Sequence, residues 1–413
     1  MEEKGSGRPL RHPVSRYGRG VALPPDFTLL QVIPELETGG AEQTTIDVAR
    51  AVIQAGGQAL VASRGGRMAT RLEADGGRLT VMPLQSKNPL VMLVNAARLA
   101  ALIRREKVSL VHARSRAPAF SALWAARATG TPFVATYHGV YKARSPVKRW
   151  YNAVMTRGDL VIANSDYTRD HVLAAHRVDP GKVVAIPRGI DLDRFDISAL
   201  TPERLESLRQ SWGLTAGDPR TRFLLAGRLT RIKGHLTIIE AAARMKAIGR
   251  EDFVIIFAGD DQGRTGYGAD LAQAIARAGL GEQIRIVGHC DDMPAAYRLA
   301  DIAILPTTVP ESFGRAAVEP QAMGRPVIAS AHGGTVETVA DGVSGWLVPP
   351  GDPDAWAAAM LRAIDIGAER RGEMGRSGMN RVRQLYRVDA MCAATLAAYA
   401  QVLAARHGRD EAP

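Results

Sequence analysis

Cysteine is nearly absent: Cys290 and Cys392 are the two among 413 residues. That excludes a disulfide scaffold and a Cys-rich zinc module, and fits a reducing compartment. Long hydrophobic runs are also lacking. The uncharged stretch from Ala393 to Ala405 has 13 residues and holds Thr395 and Gln401, short of a bilayer span. The first twenty residues carry Arg8, Arg11, Arg16 and Arg19 without an apolar segment, and read as a basic tail, not a secretory leader. Lysine supplies 8 of the 53 basic residues; an Arg and Ala excess of this kind follows from a GC-rich genome and carries no functional weight. There is no 20–50-residue repeat and no low-complexity segment. What remains, 46% apolar and 23% charged, is a globular composition long enough for two or three domains. A cytoplasmic location is expected.

The charge is uneven. Lys and Arg exceed Asp and Glu by 3 over residues 1–24 and by 10 over 25–190, whereas acids lead by 2 over 191–413. A basic half joined to a near-neutral one points to an anionic partner: nucleic acid, anionic lipid or a phosphorylated substrate. No helix-turn-helix, zinc or aromatic RNP signature accompanies the basicity, so nucleic acid is not expected.

Short Val/Ile/Leu runs alternate with longer amphipathic ones. Strands are expected at Phe27–Ile33, Gln58–Ala62, Arg78–Met82, Ser109–Ala113, Pro132–Tyr137, Asp159–Ala163 and Lys182–Ile186, and again at Phe223–Ala226, Phe253–Ala258, Ile284–Val287, Ile302–Leu305 and Pro326–Ala329. Helical patterns separate them, which implies parallel strands buried on both faces. The expectation is α/β: two doubly wound Rossmann-like domains facing across a cleft, with ligands at the carboxyl ends of the strands. The divisions are a basic disordered tail over 1–24, an N-terminal domain over 25–190, a linker over 191–222, a C-terminal domain over 223–385, and a helix over 386–413 packing back on the N-terminal domain.

Three loops carry chemistry. Gly39 and Gly40 open the helix after the first strand, where backbone can approach an anion; an ordinary turn would look the same. Gly227-Arg-Leu-Thr-Arg-Ile-Lys-Gly234 places Arg228 and Lys233 on a strand-to-helix loop, where two cations suit a diphosphate; a solvated basic loop is the bland alternative. Pro310-Glu-Ser-Phe-Gly-Arg-Ala-Ala-Val-Glu319 is sharper. Its carboxylates, Glu311 and Glu319, flank a helix start at Gly314, and carboxylates accept hydrogen bonds from vicinal hydroxyls.

The last segment resembles the E-x7-E signature of glycosyltransferase family 4, retaining enzymes of the GT-B fold. Gly227–Gly234 resembles that family's G-R-x-x-x-x-K-G loop. Ala331-His-Gly-Gly-Thr-Val-Glu337, Asp341–Gly345 and Val348–Asp352 resemble the stretch that follows it. Pro187-Arg-Gly-Ile-Asp191 is similar to its interdomain P-N-G-x-D, with Arg188 where Asn is usual. The likeness runs over roughly 28–405.

By position, the resemblance implies that Arg228 and Lys233 hold the donor diphosphate and that Glu319 binds the ribose. It implies that Glu311, with the Phe313 and Gly314 amides, binds the donor sugar, and that Gly39 and Gly40 close over the diphosphate. His138, in Thr136-Tyr-His-Gly139, matches a sugar-contacting His. His112 and Arg114 are expected as support or acceptor contacts. No metal and no cofactor are expected beyond the nucleotide-sugar donor, UDP- or GDP-linked. Asp191-Leu-Asp193 is read as turn capping, not a metal-holding D-x-D.

Tyr141-Lys-Ala-Arg-Ser-Pro-Val-Lys-Arg-Trp-Tyr151 interleaves four cations with three aromatics, as segments at a membrane interface do. Lys142 and Arg144 are acceptor candidates there, and Leu90–Val94 adds an apolar run. The expected partners are a nucleotide-sugar, a glycan or lipid-linked acceptor, and the cytoplasmic membrane surface. The chain looks like lipopolysaccharide-core and envelope-polysaccharide transferases. The alternatives are a GT-B epimerase or hydrolase, which would release free sugar or epimer without an acceptor, and a non-catalytic GT-B module.

Overall fold

A computed structural model describes residues 23–37, 39–141, 145–261 and 266–410. Nearly all of the expected tail, and the acceptor candidates Lys142 and Arg144, lie outside them. The chain forms two compact units. One comprises Met1–Asn164, Arg169–Pro187 and Asp389–Pro413; the other comprises Ser165–Thr168 and Arg188–Val388.

The first unit is built on a parallel sheet of β1 (Thr28–Val32), β2 (Gln58–Ser63), β3 (Arg78–Val81), β4 (Leu110–Ala113), β5 (Phe133–Tyr137), β6 (Leu160–Ala163) and β7 (Val183–Ala185), in the order 3-2-1-4-5-6-7. Runs such as Leu160-Val-Ile-Ala are buried throughout, because helices cover both faces. Those helices are delimited by ordinary local chemistry. Pro89–Arg105 begins at Asn88, whose side chain accepts from the Leu90 N–H at 2.9 Å, and ends with Arg104 and Arg105 facing the negative end of the dipole. The order reverses between β1 and β4, and in open sheets of this kind ligands bind where loops leave the carboxyl ends of two such strands.

The second unit repeats the plan with β8 (Thr221–Ala226), β9 (Phe253–Ala258), β10 (Ile284–Gly288), β11 (Ile302–Leu305), β12 (Val327–Ser330) and β13 (Gly345–Val348), in the order 10-9-8-11-12-13. Its reversal lies between β8 and β11. The loops following those two strands are Gly227–Gly234 and Pro306–Gly314.

Three departures from the sequence reading have physical causes. The expected linker over 191–222 is no free connector: Phe195, Trp212 and Leu214 are buried in the second unit's core. Short elements were not anticipated, namely β13 and the helices Ala69–Ala74 and Gly266–Arg277, since four to six residues show too little periodicity, and Gly266 and Gly268 mask the last. The segment Val388–Arg406 is long and apolar enough to cross a membrane by length and composition, yet half of it is buried, Ala398 and Tyr399 completely. It belongs to the helix Val388–Asp410, and from Asp389 onward that helix is part of the first unit.

Candidate functional site

In the second unit, the loop after β8 turns through a short 3-10 segment, Arg231–Lys233, into the helix His235–Ala247. Gly234 makes that turn at φ +77°, and a Cβ there would lie 1.8 Å from the Pro306 carbonyl oxygen. Only glycine lets this loop close on the end of β11. The Thr308 N–H donates to the Ile232 carbonyl at 2.9 Å, tying the two switch-point loops together. Across that tie, Lys233 Nζ donates to Glu311 Oε1 at 2.6 Å, with both side chains mostly buried. The sequence separation is 78 residues, so the pairing is a product of the fold. Arg228 lies on the same loop with its side chain exposed.

Glu311 is held from behind. Its carbonyl accepts from the Gly334 N–H at 2.7 Å, and a Cβ on Gly333 (φ +67°) would meet the same oxygen at 2.4 Å. His332, two residues past β12, sits 3.4 Å from Thr307 Oγ1 through Nε2. Burial lowers its imidazole pKa, against smaller opposing effects of the Thr307 backbone and the Glu311 charge. Gly314 starts the helix Arg315–Ala322 in a left-handed conformation, and the Phe313 ring is buried edge-on against Tyr386 at 5.4 Å.

Glu319, one turn into that helix, is oriented by two donors. Arg315 Nε and Nη2 reach Oε1 at 3.0 and 2.9 Å, and the Tyr297 hydroxyl donates to Oε2 at 3.2 Å. Burial, then the Glu319 charge, hold the Tyr297 phenol well above its usual range, so it remains a donor.

Behind this loop, Ser312's carbonyl accepts from Ser165 Oγ at 2.5 Å and from Thr168 Oγ1 at 3.3 Å. The Glu337 carboxylate accepts from the Asp166 and Tyr167 N–H groups at 3.1 and 2.6 Å, and its carbonyl accepts from Arg381 and the Tyr386 hydroxyl.

In the first unit, Gly39 and Gly40 lead into the helix Gly40–Gln54 after β1. His138 follows β5, half-buried, and its carbonyl accepts from Asn164 Nδ2 at 3.3 Å. His112 and Arg114 correct an expectation. Both are buried, at 0% and 2% exposure. His112 Nδ1 is 2.5 Å from the Tyr399 hydroxyl and Nε2 is 2.7 Å from Thr136 Oγ1, while Arg114 donates to Gln31 Oε1 through Nε and Nη2. They are internal supports and offer no surface to an acceptor. Burial, with help from Arg114 and His138, depresses the His112 imidazole strongly, so it stays neutral.

Asp191 Oδ1 accepts from the Asp193 and Arg194 N–H groups at 3.1 and 3.2 Å, a capping turn. Among the described residues no cluster of His, Cys, Asp and Glu has metal-holding geometry. Sequence reasoning gave no role to Tyr297, Arg315 or His332. Arg315 had a signal in its i,i+4 spacing to Glu319, whereas Tyr297 had none.

Two parallel sheets joined in this way, with these loops at their switch points, define the GT-B fold of the glycosyltransferases. The chain belongs to glycosyltransferase family 4: the Glycosyltransferase Family 4 model matches residues 38–194 and the Glycosyl transferases group 1 model matches residues 220–365. A glycosyltransferase from Rickettsia africae superposes with a TM-score of 0.84 at 33% identity, covering 92% of this chain and 99% of that one. Anabaena HepE, solved in complex with UDP and glucose, gives 0.76 at 25% identity, over 88% and 96%. A D-inositol 3-phosphate glycosyltransferase of Catenulispora acidiphila is 36% identical over 222 residues, 51% of this chain and 49% of that protein. The chain thus spans about half the length of that curated relative.

Proposed function

We propose that this protein transfers a hexosyl group from a nucleoside-diphosphate sugar, UDP-linked before GDP-linked, to a hydroxyl of a glycan or lipid-linked acceptor, with retention at the anomeric carbon. The observation that carries the reading is the Lys233–Glu311 pair at the β8/β11 switch point, one helical turn from a Glu319 already fixed by Arg315 and Tyr297. HepE, solved with UDP and glucose, supports the choice of UDP.

In this reading the diphosphate takes the Lys233 ammonium from Glu311, and Arg228 adds a second cation. As the bond from sugar to phosphate breaks, negative charge grows on the leaving diphosphate. The two cations stabilise it in place, so no metal is needed for that task. Glu311, relieved of Lys233, accepts hydrogen bonds from sugar hydroxyls beside the Phe313 and Gly314 amides. Glu319 takes the ribose hydroxyls. Gly39 and Gly40 leave the positive end of the helix Gly40–Gln54 open at the carboxyl end of β1, where an anion is favoured. The acceptor hydroxyl attacks from the face the leaving group vacates, and its proton passes to the departing phosphate oxygen as the sugar–phosphate bond breaks. The excess of 10 positive charges over residues 25–190 favours a phosphorylated or lipid-linked acceptor of envelope polysaccharide or lipopolysaccharide core.

Thermal unfolding with UDP, GDP, ADP and dTDP tests the donor site. A nucleotide at 100 times its dissociation constant adds about 2.7 kcal/mol. UDP is expected to stabilise the wild type and not Glu319→Ala; no response to any nucleotide would sink the reading. NMR of the product anomer decides retention. Sugar or epimer released without acceptor would favour the hydrolase or epimerase alternative.

A further inference from the structure

The first unit carries a surface that uses none of the residues assigned to donor or acceptor. Three of its helices, Pro89–Arg105, Arg116–Thr129 and Pro146–Asn152, form one continuous group. Ser121 Oγ donates to the Met92 carbonyl at 2.8 Å, joining the first two. Phe120 meets the rings of Trp124 at 6.0 Å, Trp150 at 5.5 Å and Tyr151 at 5.1 Å, joining the second to the third.

Half of the twelve large apolar side chains exposed on the described residues stand on these helices: Leu90, Leu93, Val94, Trp124, Val147 and Trp150. Single exposed apolar residues are ordinary, but a cluster marks a contact surface. Leu90 is 71% exposed, Val147 76% and Trp150 56%.

The charge around them is of one sign. No Asp or Glu occurs between Lys107 and Gly158, and the three helices hold seven Arg and Lys and no carboxylate. Arg98, Arg127, Lys148 and Arg149 are exposed on the same helices, and Lys87 just before them. The Arg157 guanidinium lies 5.1 Å from the Trp150 ring centroid. A protein partner with an apolar face would be matched by the leucines alone. Apolar tips and Trp rings ringed by cations, with anions excluded over 52 consecutive positions of sequence, match a layer that is apolar beneath and negative above.

We infer that this three-helix face docks the protein on an anionic phospholipid bilayer, with Leu90, Leu93, Val147 and Trp150 entering the acyl boundary and the cations meeting lipid phosphates. The test is flotation of the full chain with vesicles of phosphatidylcholine alone and with about one third phosphatidylglycerol, at low and high salt. Two variants accompany it: Leu90→Ser/Leu93→Ser/Trp150→Ser, and Lys148→Glu/Arg149→Glu. Thermal stability is read in parallel, so that a loss of flotation is set against any loss of the Trp150 contacts with Phe120 and Arg157; the other four positions are exposed and their changes are not expected to shift it. Wild type is expected to float with anionic vesicles roughly tenfold or more above neutral ones, and both variants are expected to lose most of that gain. High salt should weaken the wild type and the apolar variant alike. Equal binding to neutral vesicles, no binding to either, or variants that bind as wild type would overturn the inference. So would a concentration-dependent dimer dissolved by the apolar variant, which would make a second copy of the chain the occupant.

Discussion

Lys233 Nζ donates to Glu311 Oε1 across 2.6 Å, and the two residues sit on loops that leave neighbouring strands of one sheet. Exchange of that ammonium from carboxylate to diphosphate is the central step of the proposed donor binding. Glu311→Gln should therefore keep nucleoside-diphosphate affinity at or above wild type, because Lys233 loses a competing anion. Transfer should fall by about 100-fold as the sugar loses a charged acceptor. Lys233→Ala should lose the nucleotide response. Calorimetry with UDP and a turnover assay separate the two, and a folded Glu311→Gln that no longer binds UDP would refute the exchange.

Glu319 and Tyr297 form a coupled pair. Removing the carboxylate strands a buried phenol, which costs about 1–3 kcal/mol. Glu319→Ala is thus expected to be destabilised as well as blind to nucleotide. Tyr297→Phe in the same chain should recover much of the stability and none of the binding. Urea unfolding of the single and double variants tests this; additive losses would show that the hydrogen bond contributes nothing.

Gly234 and Gly249 offer a controlled comparison, with φ of +77° and +78°. Alanine at either meets the same left-handed strain, about 1–2 kcal/mol. At Gly249 the new methyl enters open space, whereas at Gly234 it strikes the Pro306 carbonyl. Gly234→Ala should be the more destabilised by about 2 kcal/mol or more, and should lose UDP binding. Matching unfolding midpoints for the two variants would contradict the packing.

Glu337 caps the residues Asp166 and Tyr167 with both carboxylate oxygens. Charge-assisted caps of this kind contribute about 1–2 kcal/mol. Glu337→Ala should lose that amount, and Glu337→Gln, which keeps one acceptor, about half. The Tm series of the three proteins is the measurement, and an unchanged Glu337→Ala would remove the cap from the account.

His235 gives a pH dependence of definite sign. It is completely buried against Phe257, and desolvation first, opposed by the Thr230 backbone, brings its imidazole down to about 4. An unfolded imidazole titrates near 6.5. Its contribution to stability is complete above pH 6.5 and is lost as pH falls from there toward 4, because the unfolded chain takes up the proton first. The loss at pH 5 is about 2 kcal/mol. His235→Leu should flatten the wild-type decline between pH 7.5 and 5 by up to that amount. A variant curve parallel to wild type would show that the group does not titrate in this window.

The repeating βα order was legible because Val/Ile/Leu runs such as Phe253–Ala258, buried throughout, leave a period that nothing else produces. The Glu311 and Glu319 loop was legible because its residue types are unusual at a helix start. What the sequence could not convey was contact at long separation. Nothing near Glu319 announces Tyr297, and nothing near Lys233 announces a partner 78 residues later. His112 shows the same limit from the other side. His112 stands on a strand flanked on both sides, and one of its two partners, Tyr399, comes from 287 residues away on the C-terminal helix. The departure over 191–222 has a related cause: its Pro and Gly punctuation marked a junction, while the burial of Trp212 depends on partners elsewhere in the chain.

That last helix has a consequence for biosynthesis. The first unit is built mostly from residues that precede the second unit in the chain, yet it needs the helix from Asp389 onward to be whole. Until that helix has been made, His112 lacks the Tyr399 hydroxyl and the Asp47 carbonyl lacks the Cys392 thiol. The second unit, emerging meanwhile, is complete by Val388. The order of synthesis is therefore the reverse of the order of completion, and a nascent chain must carry an open N-terminal unit through the synthesis of about 200 further residues, during which its apolar interior has reason to be guarded by a chaperone.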